Sequence, residues 1–215
     1  MVRSAERLEG AGGVSADGRA RRRERSRDAI VNALHALIGE GVVQPTAQQV
    51  AERASVGLRS VFRHFADMDS LYAEVGARVQ DAALPLLRDP PSSGSVEARA
   101  LEMVEHRSAF FEEIAHYKRA GNLARRRSVY LQRQHSRLVR DLRERLLRGL
   151  PELARAPEIL TESLDLVLSF DAWDRLRVDQ KLSRERATAA LRGAVRALLA
   201  ELPRSSAARP RGRTR

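Results

Sequence analysis

Arg59, Ser60, Arg63 and His64 fall within one short stretch of the chain. Guanidinium groups offer a planar fork of donors that fits guanine edges and phosphate. A serine hydroxyl meets either, and an imidazole N–H reaches a phosphate oxygen. Upstream, Thr46 and Gln49 stand at the spacing of a capping box, in which each satisfies a free backbone donor at a helix start. Gln48 lies in the same turn, and Leu58 stands just before the basic cluster. The chemistry these residues suit is recognition of a polyanion. Catalysis has little to build on. No histidine pair has zinc-helix spacing, and no glycine-rich phosphate loop or nucleophile elbow occurs. The neighbouring acids Glu112 and Glu113 do not converge. No catalytic residue, metal site or cofactor is assigned, and the expectation is that the protein is not an enzyme.

The elements that must position this cluster read as helices throughout, because no apolar–polar alternation bounded by hairpin turns is present. Ile30, Leu34, Leu37 and Ile38 mark one face of a helix ending at Gly39-Glu40-Gly41. Thr46 opens a helix over 47–54 that turns Val50, Ala51 and Ala54 inward. A short link, Ser55-Val56-Gly57, leads to a second helix with Val61, Phe62 and Phe65 inward. Leu58, Arg59, Ser60, Arg63 and His64 then face outward. Asp67 caps a longer helix through Leu71, Tyr72, Val75 and Val79. Two short helices joined by such a tight turn form a helix-turn-helix, whose second helix is shaped for the DNA major groove.

Pro85, Pro90, Pro91 and Ser92-Ser93-Gly94 interrupt the chain. Further helices are expected over about 96–118, 120–149, 158–179 and 184–202, with a second break possible near Arg127-Ser128. Met103, Arg107, Phe110 and Ile114 recur at helical spacing, with His106 adjacent. They read either as core or as a pocket wall. His135 falls on the buried side of a leucine stripe (Leu131, Leu138, Leu142, Leu146) and is either a core histidine or a ligand contact. Ile159, Leu166, Phe170 and Trp173 form another apolar series.

Composition sets the outer bounds. The 215 residues are 43% hydrophobic, enough to bury a core, and include no cysteine. Disulfides, cysteine–zinc sites and thiol nucleophiles are therefore excluded. No apolar run reaches bilayer-spanning length, and the N-terminus lacks a signal-peptide core, so no membrane association and a cytoplasmic location are expected. Thirty-nine basic against 28 acidic residues give +11, and all but Lys118 and Lys181 of the basic residues are arginines. The excess is unevenly placed. Residues 1–27 hold eight arginines against four acids, and 203–215 five against none. Both stretches read as chain without regular structure. Residues 28–75 carry three arginines against six acids, so the helix-turn-helix is itself acidic. A DNA reader with that balance needs positive charge from elsewhere. Arg21, Arg22, Arg23, Arg25 and Arg27 are the candidates, reaching the backbone or minor groove from an N-terminal arm.

The stretch 46–75, TAQQVAERASVGLRSVFRHFADMDSLYAEV, resembles the DNA-binding signature of the TetR family of bacterial transcription regulators. The matched points are Thr46, Val50-Ala51, Ala54, Val56, Val61-Phe62, His64-Phe65 and Leu71. Phe170-Asp-Ala-Trp173-Asp-Arg-Leu176-Arg177 is similar to part of a penultimate helix in many members. The departures are Ser55 for the usual glycine, Gly57 for serine, Arg59 for a small residue, Phe62 for a tyrosine and Met68 for a lysine. The resemblance implies an all-α fold: a basic arm over 1–23, a DNA-binding domain over 24–75, a helical ligand-binding and dimerisation domain over 76–202, and a tail over 203–215. It implies phosphate contact at Thr46 and His64 and base contact at Arg59, Ser60 and Arg63. It also implies a homodimer on a palindromic double-stranded operator, released by a small-molecule effector. Met103, His106, Arg107, Phe110, Ile114, His135 and Trp173 are the candidate ligand contacts. The alternative is an architectural DNA-binding protein with basic tails and no effector.

Overall fold

The computed structural model describes residues 12–88, 93–126 and 128–202, with side chains from Asp17 onward except that of Ala124. The expectations for residues 1–11, for the tail 203–215 and for the proline junction at Pro90-Pro91 lie outside the described residues. Within them the protein is all-α, with no strand. The helices are α1 (Gly12–Gly39), α2 (Ala47–Arg53), α3 (Leu58–His64), α4 (Met68–Ala83), α5 (Val96–Arg125), α6 (Val129–Gly149), α7 (Glu158–Val167), α8 (Phe170–Asp174) and α9 (Arg184–Leu199). No helix among the described residues is long and apolar enough to cross a membrane.

The chain forms two compact units. One comprises the described residues up to Gln80 with His116–Gln134, the other Asp81–Ala115 with the described residues from His135. The first therefore reaches past Val75, and takes in the α5–α6 turn. Its core is built from Ile30, Leu34 and Ile38 of α1, Val50 and Ala51 of α2, Val61 of α3, Phe65, and Leu71 and Val75 of α4, all buried. In the second unit Phe110, Phe111, Phe170 and Trp173 are buried together with Leu146, Leu164, Leu191 and Val195. Phe111 meets Phe110 at 5.7 Å between ring centroids, and meets the edge of Phe170 at the same distance, within the favourable range for aromatic pairs.

Helix ends follow local chemistry closely. Thr46 Oγ1 accepts from Gln49 N at 3.2 Å while Gln49 Oε1 accepts from Thr46 N at 2.8 Å, completing the expected capping box. Asp67 Oδ1 accepts from Ser70 N at 2.7 Å. Serines open α5, α6, α8 and α9, where Ser95, Ser128, Ser169 and Ser183 each accept a backbone N–H three residues on. α1 ends on Gly41 at φ 91°, with Val42 N donating to Leu37 O and Gly41 N to Ile38 O. α2 ends in the same hydrogen-bond pattern, with Val56 N to Ala51 O and Ser55 N to Glu52 O. There the left-handed position is filled by Ser55, at φ 53°. This closing motif favours glycine at that place.

Three boundaries differ from expectation. Gly12–Arg27, expected to lack regular structure, continues α1. Alanine, arginine and glutamate are good helix formers, and Asp17 pairs with Arg21 one turn on at 3.0 Å. The α5 helix runs to Arg125 instead of ending near 118, so the break falls next to Ser128, which caps α6. The expected single helix 158–179 is divided, because Ser169 adopts extended backbone and caps α8, which passes into a π-helical turn over Arg175–Asp179. The division also splits the apolar series: Phe170 and Trp173 are core, whereas Ile159 and Leu166 are 72% and 68% exposed.

Candidate nucleic-acid interface

The first unit places α2 and α3 as a helix-turn-helix. Val61 and Phe65, one turn apart, fasten α3 to the core. At about 100° per residue, Arg59 and Arg63 then lie at the centre of the opposite face. Both are exposed. Ser60, half-buried at one edge, accepts from Arg63 Nη2 at 3.1 Å, which orients that guanidinium. Leu58 and Phe62 form the other edge, exposed by 41% and 49%. This corrects the expectation that Phe62 faces inward: a two-turn helix buries one narrow stripe, and Val61 and Phe65 already occupy it. Sequence reasoning set Phe62 with the core, although its spacing from Leu58 repeats that of Phe65 from Val61.

Thr46 and Gln48 are exposed at the start of α2, where Gln48 Nε2 donates to Glu52 at 2.8 Å. His64, expected to face outward, is half-buried, and its Nε2 is enclosed without a hydrogen-bond partner. Burial holds its imidazole below the ordinary histidine range, and the nearby Arg63, Arg23 and Arg27 charges push it further down.

The arginines of α1 divide into two groups. Arg22, Arg23 and Arg25 are exposed, as a polyanion-contacting group must be. Arg27, expected among them, is committed internally. Its two terminal nitrogens donate to both carboxylate oxygens of Glu74 at 2.7 Å, and its guanidinium lies 5.0 Å from the Phe65 ring centroid. Arg78 joins this cluster, bonding Asp28 at 2.9 Å and Glu74 at 3.0 Å. Glu74 lies 47 positions from Arg27, so local sequence does not signal the pairing. Arg53 is likewise tied to Glu40. The described part of the arm, Gly12–Arg27, is helical, so these side chains are carried on α1 and not on unstructured chain.

The seven candidate ligand residues differ in burial. Met103, Phe110, Ile114 and Trp173 are core. Arg107 is buried, donating to Leu168 O at 2.8 Å and Leu142 O at 2.5 Å. Burial lowers its pKa to about 10. His106 is half-buried, with Nδ1 3.2 Å from Arg88 O. His135, expected on a buried face, is also half-buried. A cavity of about 330 Å³ in the second unit is lined by Glu105, Arg184, Glu185, Thr188, Ala189 and Arg192, and none of the seven contributes to it. Among the described residues of the second unit, Arg99 Nε, Ser108 Oγ and Trp173 Nε1 are buried without a hydrogen-bond partner. Among the described residues no group of acidic or histidine side chains could hold a metal ion.

A helix-turn-helix unit joined in one chain to a larger helical unit defines a class of all-α folds. Within that class the fold is TetR-like. A transcriptional regulator from Rhodococcus sp. Rha1 superimposes with a TM-score of 0.57 at 19% identity, over 83% of this chain and 96% of that one. The multidrug binding protein EbrR, solved with imidazole, gives 0.58 at 19% identity over 87% and 93%. A putative TetR-family regulator from Mesorhizobium loti gives 0.57 at 17% identity over 83% and 97%. At these identities the likeness is one of fold. No protein-family model and no curated protein matches the chain.

Proposed function

We propose that this protein is a sequence-specific DNA-binding transcription regulator, a repressor released from its operator by a small molecule. The observation that carries the reading is the exposed face of α3, where Arg59 and Arg63 stand side by side with Ser60 orienting the second. Thr46 and His64 flank that face as phosphate contacts, and Arg22, Arg23 and Arg25 of α1 add the positive charge that residues 28–75 lack. A phosphate arriving beside His64 would favour its charged form, offsetting the neighbouring arginines. The structural neighbours support the class: two are named as regulators, and the third is named for binding drugs.

The effector part rests on the second unit. Unpartnered buried groups such as Ser108 Oγ and Trp173 Nε1 each cost roughly 1–3 kcal/mol, and a ligand that hydrogen-bonds them recovers that cost. Homodimerisation is supported by α7, where Ile159 and Leu166 stand two turns apart and exposed, a placement suited to a partner helix. Two copies related by a dyad would present α3 to successive major grooves about 34–36 Å apart. Effector and operator then oppose each other, with a coupling of roughly 1–3 kcal/mol giving a 5–150-fold change in affinity.

Selection of bound duplexes from a random pool by the purified full chain tests the reading. Recovery of one palindromic site is expected. Uniform, strongly salt-dependent binding with no enriched sequence would favour an architectural protein instead.

A further inference from the structure

Two of the three large apolar side chains of α3, Leu58 and Phe62, face solvent. They lie one turn apart and so share a stripe, adjacent to the stripe formed by Arg59 and Arg63. An occupant of this face must be polyanionic and must also present small apolar projections at the depth of the polar contacts. The DNA major groove does both. Its floor carries guanine acceptors, its rims carry the phosphates, and the 5-methyl group of each thymine is the one apolar projection of the floor. We infer that Leu58 and Phe62 read thymine methyl groups, and that the operator half-site pairs a guanine or phosphate contact to the arginines with one or two thymines beside them. The inference rests on the regulator reading above and specifies which bases that reading demands.

The charge pattern makes the choice of partner. An apolar protein surface docking on this edge would have to desolvate Arg59 and Arg63 without compensation, whereas a nucleic acid engages both stripes at once. Phe62 also lacks a hydroxyl and has no means of donating to phosphate, so its ring contributes only apolar contact.

The test replaces each thymine of the selected site, one at a time, with deoxyuridine, which lacks the methyl and keeps every hydrogen-bonding group. Binding of the full-length protein should weaken roughly fourfold at one or two thymines per half-site, the value of one buried methyl. In Phe62→Ala or Leu58→Ala the same replacement should change binding by less than about 1.5-fold, while Arg59→Ala keeps the sensitivity. Both apolar residues are exposed, and circular dichroism confirms the fold of each variant. A selected site that tolerates deoxyuridine everywhere, or that loses equally in wild type and variants, overturns the inference and leaves the regulator reading standing. Failure to select any site overturns both.

Discussion

At the scale of single residues, the turn between α2 and α3 shows what one side chain costs. Ser55 stands at φ 53°, closing α2 with the hydrogen bonds that glycine ordinarily serves. A non-glycine residue in this region is strained by about 1–2 kcal/mol, and glycine returns part of that gain as extra freedom in the unfolded chain. Ser55→Gly should therefore stabilise the protein by about 0.5–1 kcal/mol, seen as a higher urea midpoint with an unchanged slope. A lower midpoint would mean that the serine side chain has a stabilising role of its own. The neighbouring Gly57 begins α3 without a side-chain acceptor, so this helix is held by Val61 and Phe65 more than by its cap. The resemblance to TetR sequences flagged both positions. Only the backbone geometry gave the physical reason for the first.

At the scale of elements, α1 and α4 are joined by Arg27, Glu74, Arg78 and Asp28. The hydrogen bonds from Arg27, with those from Arg78, hold the Glu74 carboxyl below its ordinary value of 4.5. The folded state thus binds the Glu74 proton more weakly than the unfolded chain does. Its stabilisation is fully present above about pH 4.5 and is lost as pH falls through the lowered folded value. The pair is partly exposed, so its worth is about 0.5–1 kcal/mol after solvent screening. Glu74→Gln should lose about that amount at pH 7 and progressively less as pH falls below about 4.5, measured by urea unfolding across the range. A difference that does not vary with pH would show that the glutamate acts through packing alone. The same cluster sets the register of α1, which carries Arg22, Arg23 and Arg25 beside α3.

At the scale of the whole molecule, the proposal needs two copies, and α7 makes that testable. Ile159 is 72% exposed, so replacing it disturbs little within one chain. Ile159→Glu together with Leu166→Glu should convert a dimer to a monomer in sedimentation, with helical content retained. Operator affinity should then fall by at least about tenfold, because each half-site would be engaged singly. A double variant that still sediments as a dimer would place the interface elsewhere. The overall charge of +11 has a sharper meaning at this scale than as a sum. Arg27, Arg53 and Arg78 are committed to internal pairs, so the proposed DNA contact falls to exposed arginines of α1 and α3.

What the sequence by itself determined lies within reach of a few residues along the chain. The capping box at Thr46, the Asp67 cap, the stop at Gly41, the inward stripe of α1 and the helix-turn-helix spacing all depend on contacts within a turn or two, and all are found in the structure. The TetR-like fold was legible for the same reason. The tertiary structure decided which polar and apolar groups remain available. Phe62 is outside because Val61 and Phe65 fill the narrow buried stripe, and Arg27 is withdrawn by a carboxylate 47 positions away. The core positions of Met103, Phe110 and Trp173, and the opposite faces taken by Ile159 and Trp173, were likewise settled by packing between helices distant in sequence. Helical periodicity defines a face. Only the neighbours brought against it determine whether that face is core, interface or reading surface.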